Sequence, residues 1–177
     1  GRKVTSHAAA LSVLGWHNFV GPMARSKTQE ERDRIISRIP TKERRIAWQT
    51  AMSATFTEEQ LANARAAVGR GVMEMEELLA ENAFLAGPTY TVADLESFAN
   101  FYSLPMTVPE YANKQKAPRY IDWLIRIYNM KGTMEAFGLA RSLATRAFQL
   151  KEDLEAGRQP VQISLEEVQR RAAAASA

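Results

Sequence analysis

The sequence contains no cysteine and only two histidines, His7 and His17. The lack of cysteine excludes disulfide bonds, thiolate zinc sites and cysteine nucleophiles among these 177 residues. Two histidines cannot form a multi-histidine metal centre alone, and we predict no metal site. No apolar run approaches the roughly 20 residues of a membrane-spanning helix, and no secretory signal is visible. We therefore predict a cytoplasmic protein without a membrane span.

The sequence also lacks a large excess of positive or negative charge. Lys and Arg number 23 against 20 Asp and Glu, which gives a net charge of +3. Acidic and basic residues alternate within single segments, as in residues 30–34, which is typical of a solvated helix surface. A basic stripe for nucleic acid is missing, and we predict no nucleic-acid partner. The proportions of apolar residues (46%) and charged residues (24%) indicate a globular chain.

Strand patterns are missing, whereas helix signals recur. Period-two β-branched runs and Asn-Gly or Asp-Gly turns are absent, so we predict an all-α fold. Capping boxes, in which a hydroxyl residue precedes an acid or amide by three positions, are frequent. They predict helices from Thr28 towards Ile39, from Thr57 to about Asn82, from Thr91 to near Leu104 and from Ser164 into the tail.

The spacing of apolar residues predicts the other helices and one buried stripe. Further helices are expected before Pro22 and over residues 41–52, 118–128, 133–142 and 143–157. The long helix after Thr57 is expected to bury Leu61, Ala64, Val68, Val72, Met75, Leu78 and Leu79. The alanine-rich end, residues 172–177, is expected to fray.

The segment over residues 84–95, FLAGPTYTVADL, ends one helix and begins another. Thr91 and Asp94 have the spacing of a capping box, so Asp94 is predicted to cap a helix rather than to act as a catalytic carboxylate. Tyr90 and Leu95 have the spacing of a hydrophobic staple around the same cap.

Together with residues 117–126, APRYIDWLIR, this segment resembles the C-terminal helical domain of the glutathione transferases. That family has a Tyr/Phe-Leu-Ala-Gly string before a Ser/Thr-x-x-Asp cap, and then a helix with Pro, Trp and Arg at the spacing of Pro118, Trp123 and Arg126. Trp123 and Arg126 are predicted to be structural. The resemblance implies a helical bundle over residues 1–142, followed by a helical tail over 143–177.

Three features narrow the resemblance to the bacterial glutathione-dependent β-etherases, which cleave lignin-derived aryl ethers. Residues 26–56 insert extra helix between the first two helices of the domain. Leu14-Gly15-Trp16 lies in the first helix, and VPEYAN occupies residues 108–113. The similarity covers roughly residues 8–142.

The resemblance also implies what this chain would and would not supply. Glutathione transferases bind glutathione, the expected cofactor, in an N-terminal thioredoxin-like domain that also stabilises its thiolate. No βαβ segment is visible here, so the thiol-activating residue is expected upstream, outside this chain, and the chain alone is expected to be inactive. It would contribute the pocket for an aromatic substrate and a surface for a homo- or heterodimer. The resemblance assigns the pocket wall to the first helix, with Trp16, Phe19 and Met23, and suggests His17 and Tyr102 as polar contacts.

Each assignment has a simpler alternative. Trp16, Phe19 and Met23 could pack against another domain or a dimer partner. His17 could be an ordinary exposed helix residue, and Tyr102 could belong to the core of the central helix. For the whole chain, the alternatives are a non-enzymatic protein-interaction module, with residues 143–171 as a partner helix, or an unrelated helical bundle that shares only the capping box.

Overall fold

The computed structural model describes residues 7–139, 141–162, 167 and 170, and only the backbone of 141–144. Every regular secondary-structure element within these ranges is a helix, which confirms the predicted all-α class. An isolated antiparallel bridge joins Phe84 and Gly87 in a turn. The helix predicted at Ser164 and the end predicted to fray, 172–177, lie outside the described residues.

The chain divides into two compact units, and we describe each separately. The N-terminal unit is Ala8–Arg65, and the C-terminal unit is Ala66–Ala177 with Gly1–His7. The N-terminal unit contains α1 (Ala8–Gly15), a π-helix (Trp16–Val20), α2 (Gly21–Arg25), α3 (Gln29–Ser37) and α4 (Lys42–Ser53). The long helix α5 (Glu58–Leu78) begins in this unit and continues into the other.

Local side-chain caps explain where the helices of the N-terminal unit begin. The Glu31 amide donates to Thr28 Oγ1 at 3.2 Å, and the Thr28 amide donates to Glu31 Oε2 at 2.8 Å, which is the predicted capping box. Thr57 and Gln60 exchange the same pair of bonds ahead of α5. Thr41, at the start of α4, makes no side-chain cap bond.

The prediction for α5 was wrong at its C-terminal end. The helix ends at Leu78 rather than near Asn82, because the Ala80 amide donates to the Glu77 carbonyl three residues earlier and tightens the last turn. Six of the seven predicted stripe residues are buried, but Leu78 is 52% exposed. At about 100° per residue, Leu78 falls outside the arc that the other six share, and Leu79 takes the buried position.

The C-terminal unit contains α6 (Val92–Phe101), α7 (Leu104–Thr107), α8 (Pro118–Tyr128), α9 (Thr133–Leu139) and α10 (Arg141–Glu155). The central helix α6 ends at Phe101, three residues before the predicted end. Pro105 has no N–H to donate to the Phe101 carbonyl four residues earlier, so the helix cannot continue through it. The buried hydroxyl of Tyr120 donates to that carbonyl instead.

Asp94 joins the two segments that carry the family resemblance. Its side chain is fully buried and accepts from the Thr91 amide (2.9 Å) and hydroxyl (3.1 Å), which completes the predicted capping box. It also accepts from the Leu85 amide and from the indole N–H of Trp123, both at 2.9 Å. The carboxylate therefore fixes the start of α6 against both the preceding loop and α8.

Two further contacts hold α8 to distant parts of the sequence. Glu76, which is 6% exposed, accepts from the Tyr120 amide at 2.8 Å and from the Arg119 guanidinium at 3.1 Å. It thereby caps α8, whose own N-cap residue Ala117 offers no side-chain bond. Arg126 donates to the Ala83 carbonyl and lies over the Phe84 ring at 5.5 Å.

Candidate functional site

The candidate residues of the N-terminal unit begin in its π-helix. Trp16, His17 and Phe19 belong to this helix, in which the Gly21 amide donates to the Trp16 carbonyl five residues earlier. Pro22 cannot extend a helical hydrogen-bond ladder, and the π turn lies immediately before it. Short π-helices are rare and are frequent at functional sites.

A side chain at Gly21 would be tightly placed in this turn. The residue is buried, and a Cβ there would lie 3.1 Å from the Trp16 carbonyl oxygen and 3.1 Å from Arg25 Nη1. A larger residue would need these neighbours to move by a few tenths of an ångström. The sequence analysis did not predict this local geometry, although the Gly21-Pro22 pair could have signalled it.

The side chains of this segment remain partly accessible. Trp16, Phe19 and Met23 are half-buried, and His17 is exposed. Trp16 and Phe19 lie within the π-helix, and Met23 follows in α2. Two aromatic rings and a thioether with accessible surface can contact a planar apolar ligand, and an exposed imidazole can donate to an oxygen atom.

Tyr102, the candidate of the C-terminal unit, immediately follows α6 and is half-buried. Its ring lies 5.2 Å from that of Phe137 and 5.9 Å from that of Phe98, between ring centroids. Burial raises the pKa of Tyr102 above its usual value, although the positive charge of Arg146 opposes the shift. The phenol is therefore neutral near pH 7 and keeps a proton to donate.

This aromatic cluster borders a cavity of about 510 Å³, called here the aryl cavity. Its aromatic walls are Tyr90, Phe98, Tyr102 and Phe137, all from the C-terminal unit. Its other apolar lining residues are Leu95, Ala99, Ile127, Met130 and Ala136. The volume lies within the range of about 300–1,000 Å³ that small-molecule sites occupy.

The predicted staple residues Tyr90 and Leu95 also line the aryl cavity. Leu95 is 56% exposed, while the Tyr90 ring packs edge-on against Phe84 with 5.8 Å between centroids. Burial and the negative charge of Asp94 raise the pKa of Tyr90. The staple contact between Tyr90 and Leu95 stays a prediction, and both residues also line the aryl cavity.

The sequence analysis did not connect Tyr102 with Phe137 or with the loop after α8. The residues that form this cluster lie on or next to α6, α8 and α9, and no local sequence pattern links them.

Within residues 7–139 and 141–162, no group of three or more His, Asp or Glu side chains is placed to hold a metal ion. No helix in this described part is both long and apolar enough to cross a bilayer.

The chain is similar to a curated protein and to a solved structure. It is 28% identical over 131 residues to Protein LigF of Sphingobium sp., which covers 72% of this chain and 51% of that protein. The crystal structure of β-etherase LigF from Sphingobium sp. matches with a TM-score of 0.61 and 28% identity, over 73% of this chain and 55% of that chain. The chain thus spans about half the length of the relative it matches.

No protein-family model matches the chain. The two similarities confirm the resemblance to bacterial β-etherases, and with it the glutathione-transferase type of helical fold that the capping box and the Trp123 helix predicted. The site residues named above are not tested by these similarities and stay predictions.

Proposed function

We propose that this chain is the substrate-pocket and dimerisation half of a glutathione-dependent β-etherase-like enzyme that acts on lignin-derived aromatics. The observation that carries the proposal is the similarity to LigF in sequence and in fold, over 72% and 73% of the chain respectively. In this proposal, a thioredoxin-like domain upstream binds glutathione and supplies the thiol-activating residue. The chain alone is then inactive, and the complete protein works as a cytoplasmic dimer.

The proposed reaction is a displacement at the carbon next to a ketone. The sulfur of glutathione forms a bond to that carbon, and the bond from the carbon to the aryl oxygen breaks. The aryloxide leaves with the electron pair, and the proton lost by the thiol ends on the phenol. The chemical requirements are a thiolate and a donor for the leaving oxygen.

The residues of this chain would meet the second requirement and bind the rings. Trp16, Phe19 and Met23 form the apolar wall in the proposal, because half-buried aromatic side chains stack on aryl groups and exclude water. His17 and Tyr102 are the two candidate donors. The neutral phenol of Tyr102 and the exposed imidazole of His17 can each donate to an oxygen atom.

The wall is tested by a matched pair of tryptophan variants in the protein expressed from its native gene. Trp16→Ala should lower kcat/KM for glutathione-dependent aryl ether cleavage by about tenfold, mainly through KM, because stacking area is lost. Trp48 is also half-buried, on α4, and lies outside the proposed wall. Trp48→Ala should therefore change kcat/KM by less than about twofold. Equal losses in the two variants would argue against a substrate wall on the π-helix.

The donor is tested by the leaving group. Loss of a general acid slows the release of a basic phenolate by about 100-fold but hardly affects 4-nitrophenolate, which needs no proton to leave. His17→Gln and Tyr102→Phe should be compared on both ethers. The variant that slows only the poor leaving group identifies the donor. If neither does so, both assignments are wrong.

The alternative, a non-enzymatic interaction module, has one observation in its favour. Leu139 at the end of α9 and Phe148 on α10 are 88% and 50% exposed, which is unusual for large apolar side chains. A stoichiometric complex with another protein and no glutathione-dependent turnover would favour this alternative over the proposed enzyme.

A further inference from the structure

The described residues that line the aryl cavity carry a single charge. Among them only Lys131 is charged, and none has a carboxylate. Lys131 lies in the turn after α8, next to Gly132, whose φ of +90° permits the tight change of direction into α9. Its side chain is exposed and makes no ion pair with the described residues. An apolar space with one unpaired cation at its edge favours an anionic ligand over a neutral or cationic one.

The walls of the cavity select for a flat ligand. The rings of Phe98, Tyr102 and Phe137 lie 5.2–6.2 Å from one another, at interplanar angles of 38° to 68°. Centroids this close belong to rings in direct contact with one another, so a flat ligand would meet the accessible sides of the half-buried rings of Tyr102 and Phe137. The Tyr102 hydroxyl, which keeps its proton, can donate to an oxygen of the ligand.

We propose that the aryl cavity binds an aromatic monoanion, such as an aryl carboxylate, with its ring against Tyr102 and Phe137 and its negative group at Lys131. The volume of about 510 Å³ lies within the range of small-molecule sites. None of Trp16, His17, Phe19 or Met23 lines this cavity, whereas Tyr102, a candidate donor in the proposed ether cleavage, does.

The first test uses three probes with the unmodified protein, expressed from its native gene, in calorimetric titrations. The aromatic anion 2-naphthoate should bind saturably at one site. The neutral 2-naphthylmethanol lacks the charge, and cyclohexanecarboxylate lacks the aromatic ring. Each of these should bind at least about fivefold more weakly, since it loses one of the two interactions.

The second test locates the bound naphthoate. Ala136, on α9, is exposed and lines the cavity, so Ala136→Trp should fill the space and weaken binding by at least about tenfold. Ala62→Trp adds the same side chain at an exposed helical position outside the cavity and should leave the Kd unchanged. Lys131→Gln should raise the Kd by about fivefold, and added salt should narrow that difference. Circular dichroism checks folding, and Ala99→Trp replaces Ala136→Trp if that variant does not fold.

Three results would overturn the proposal. They are no saturable binding of 2-naphthoate at millimolar concentration, equal binding by the cavity-filled and unmodified chains, and equal binding of cyclohexanecarboxylate. Trp16→Ala separates this site from the proposed function. Trp16→Ala should lower ether cleavage without changing the Kd for naphthoate. If Trp16→Ala abolishes naphthoate binding and Ala136→Trp does not, the anion binds at the π-helix instead.

Discussion

Helices α3 and α4 are anchored by side chains close in sequence, whereas α6 and α8 are anchored by side chains that are far apart. Thr28 and Glu31 are three residues apart, and Arg32 donates to the Lys27 carbonyl five residues away. In the C-terminal unit, Asp94 accepts from Trp123 across 29 residues, and Glu76 accepts from the Tyr120 amide across 44. Cutting a local bond should disturb one helix end, while cutting a distant one should loosen several elements together.

The burial of the helices follows the same division. Helix α3 has no buried residue and α4 has only Ala51, whereas six residues of α8 are buried. The C-terminal unit is therefore held together by a few buried polar side chains, whose hydrogen-bond partners are far away in the sequence. The N-terminal unit keeps its candidate ligand-binding side chains half-buried on short helical segments.

The largest expected effect comes from Asp94. Asp94→Ala would leave the Trp123 indole and the Leu85 and Thr91 amides without their acceptor in a dry interior. We expect the free energy of unfolding to fall by about 3 kcal/mol or more. Asp33→Ala removes an exposed carboxylate that accepts only from Gln29, so it should cost at most about 0.5 kcal/mol. Urea unfolding of both variants measures the difference, and similar losses would contradict the comparison.

Alkaline pH should weaken the C-terminal frame selectively. Burial raises the pKa of Tyr120 and of Tyr128 above their ordinary value of 10.0. Because the folded state keeps these protons longer than the unfolded chain, their contribution is complete below pH 10 and is lost as the pH rises further. Each tyrosine should cost about 1 kcal/mol between pH 10 and pH 11.

Tyr128→Phe tests this pH dependence. The variant should lose less stability than the wild type between pH 9 and pH 11, by about the share of one tyrosine. Urea unfolding at each pH gives the two slopes. An unchanged slope would mean that the Tyr128 phenol ionises as readily in the folded state as in the unfolded chain.

At neutral pH the same two tyrosines should respond differently. The hydroxyl of Tyr120 donates to the Phe101 carbonyl, whereas the buried hydroxyl of Tyr128 has no hydrogen-bond partner among the residues that the structure describes. Tyr120→Phe should therefore destabilise the protein by about 1–2 kcal/mol, and Tyr128→Phe should be neutral or stabilising. Thermal and urea unfolding at pH 7 compare them. Equal costs would show that ring packing, not the hydrogen bond, distinguishes these positions.

The smallest expected effects concern the helix caps. Thr28→Ala and Thr91→Ala each remove an oxygen that accepts from a first-turn amide, and each should cost about 1 kcal/mol. Thr41, an N-cap without a side-chain bond, provides the control, and Thr41→Ala should change stability little. A cost for Thr41→Ala as large as that of the other two would mean that the hydroxyl bonds are not the source of the stabilisation.

The parts of the fold that could be predicted depend on residues that are close to one another in the sequence. The boxes at Thr28 and Thr91 were readable because a cap and its partner are three residues apart. Glu76 as the cap of α8 was not readable, since nothing near Ala117 points 44 residues back along the chain. The exposure of Leu78 was not predicted because the predicted buried stripe covered a wider arc of α5 than the six buried residues share.

The candidate site divides in the same way. The aromatic residues near Trp16 could be named from the sequence, but the π turn that carries them depends on backbone packing around Gly21. Tyr102 could be named as well, but the aryl cavity could not. Its walls come from α6, α8 and α9, and tertiary packing alone brings Phe137 and Lys131 to Tyr102.

The most direct measurement of the proposed function is the product stoichiometry of the protein expressed from its native gene, with glutathione and an aryl ether that carries the ketone. Mass spectrometry should find one glutathione thioether for each phenol released, because the thiolate replaces the aryloxide at one carbon. Phenol without an equal amount of thioether would contradict attack by glutathione. No phenol, together with a stoichiometric protein complex, would contradict the enzyme assignment itself.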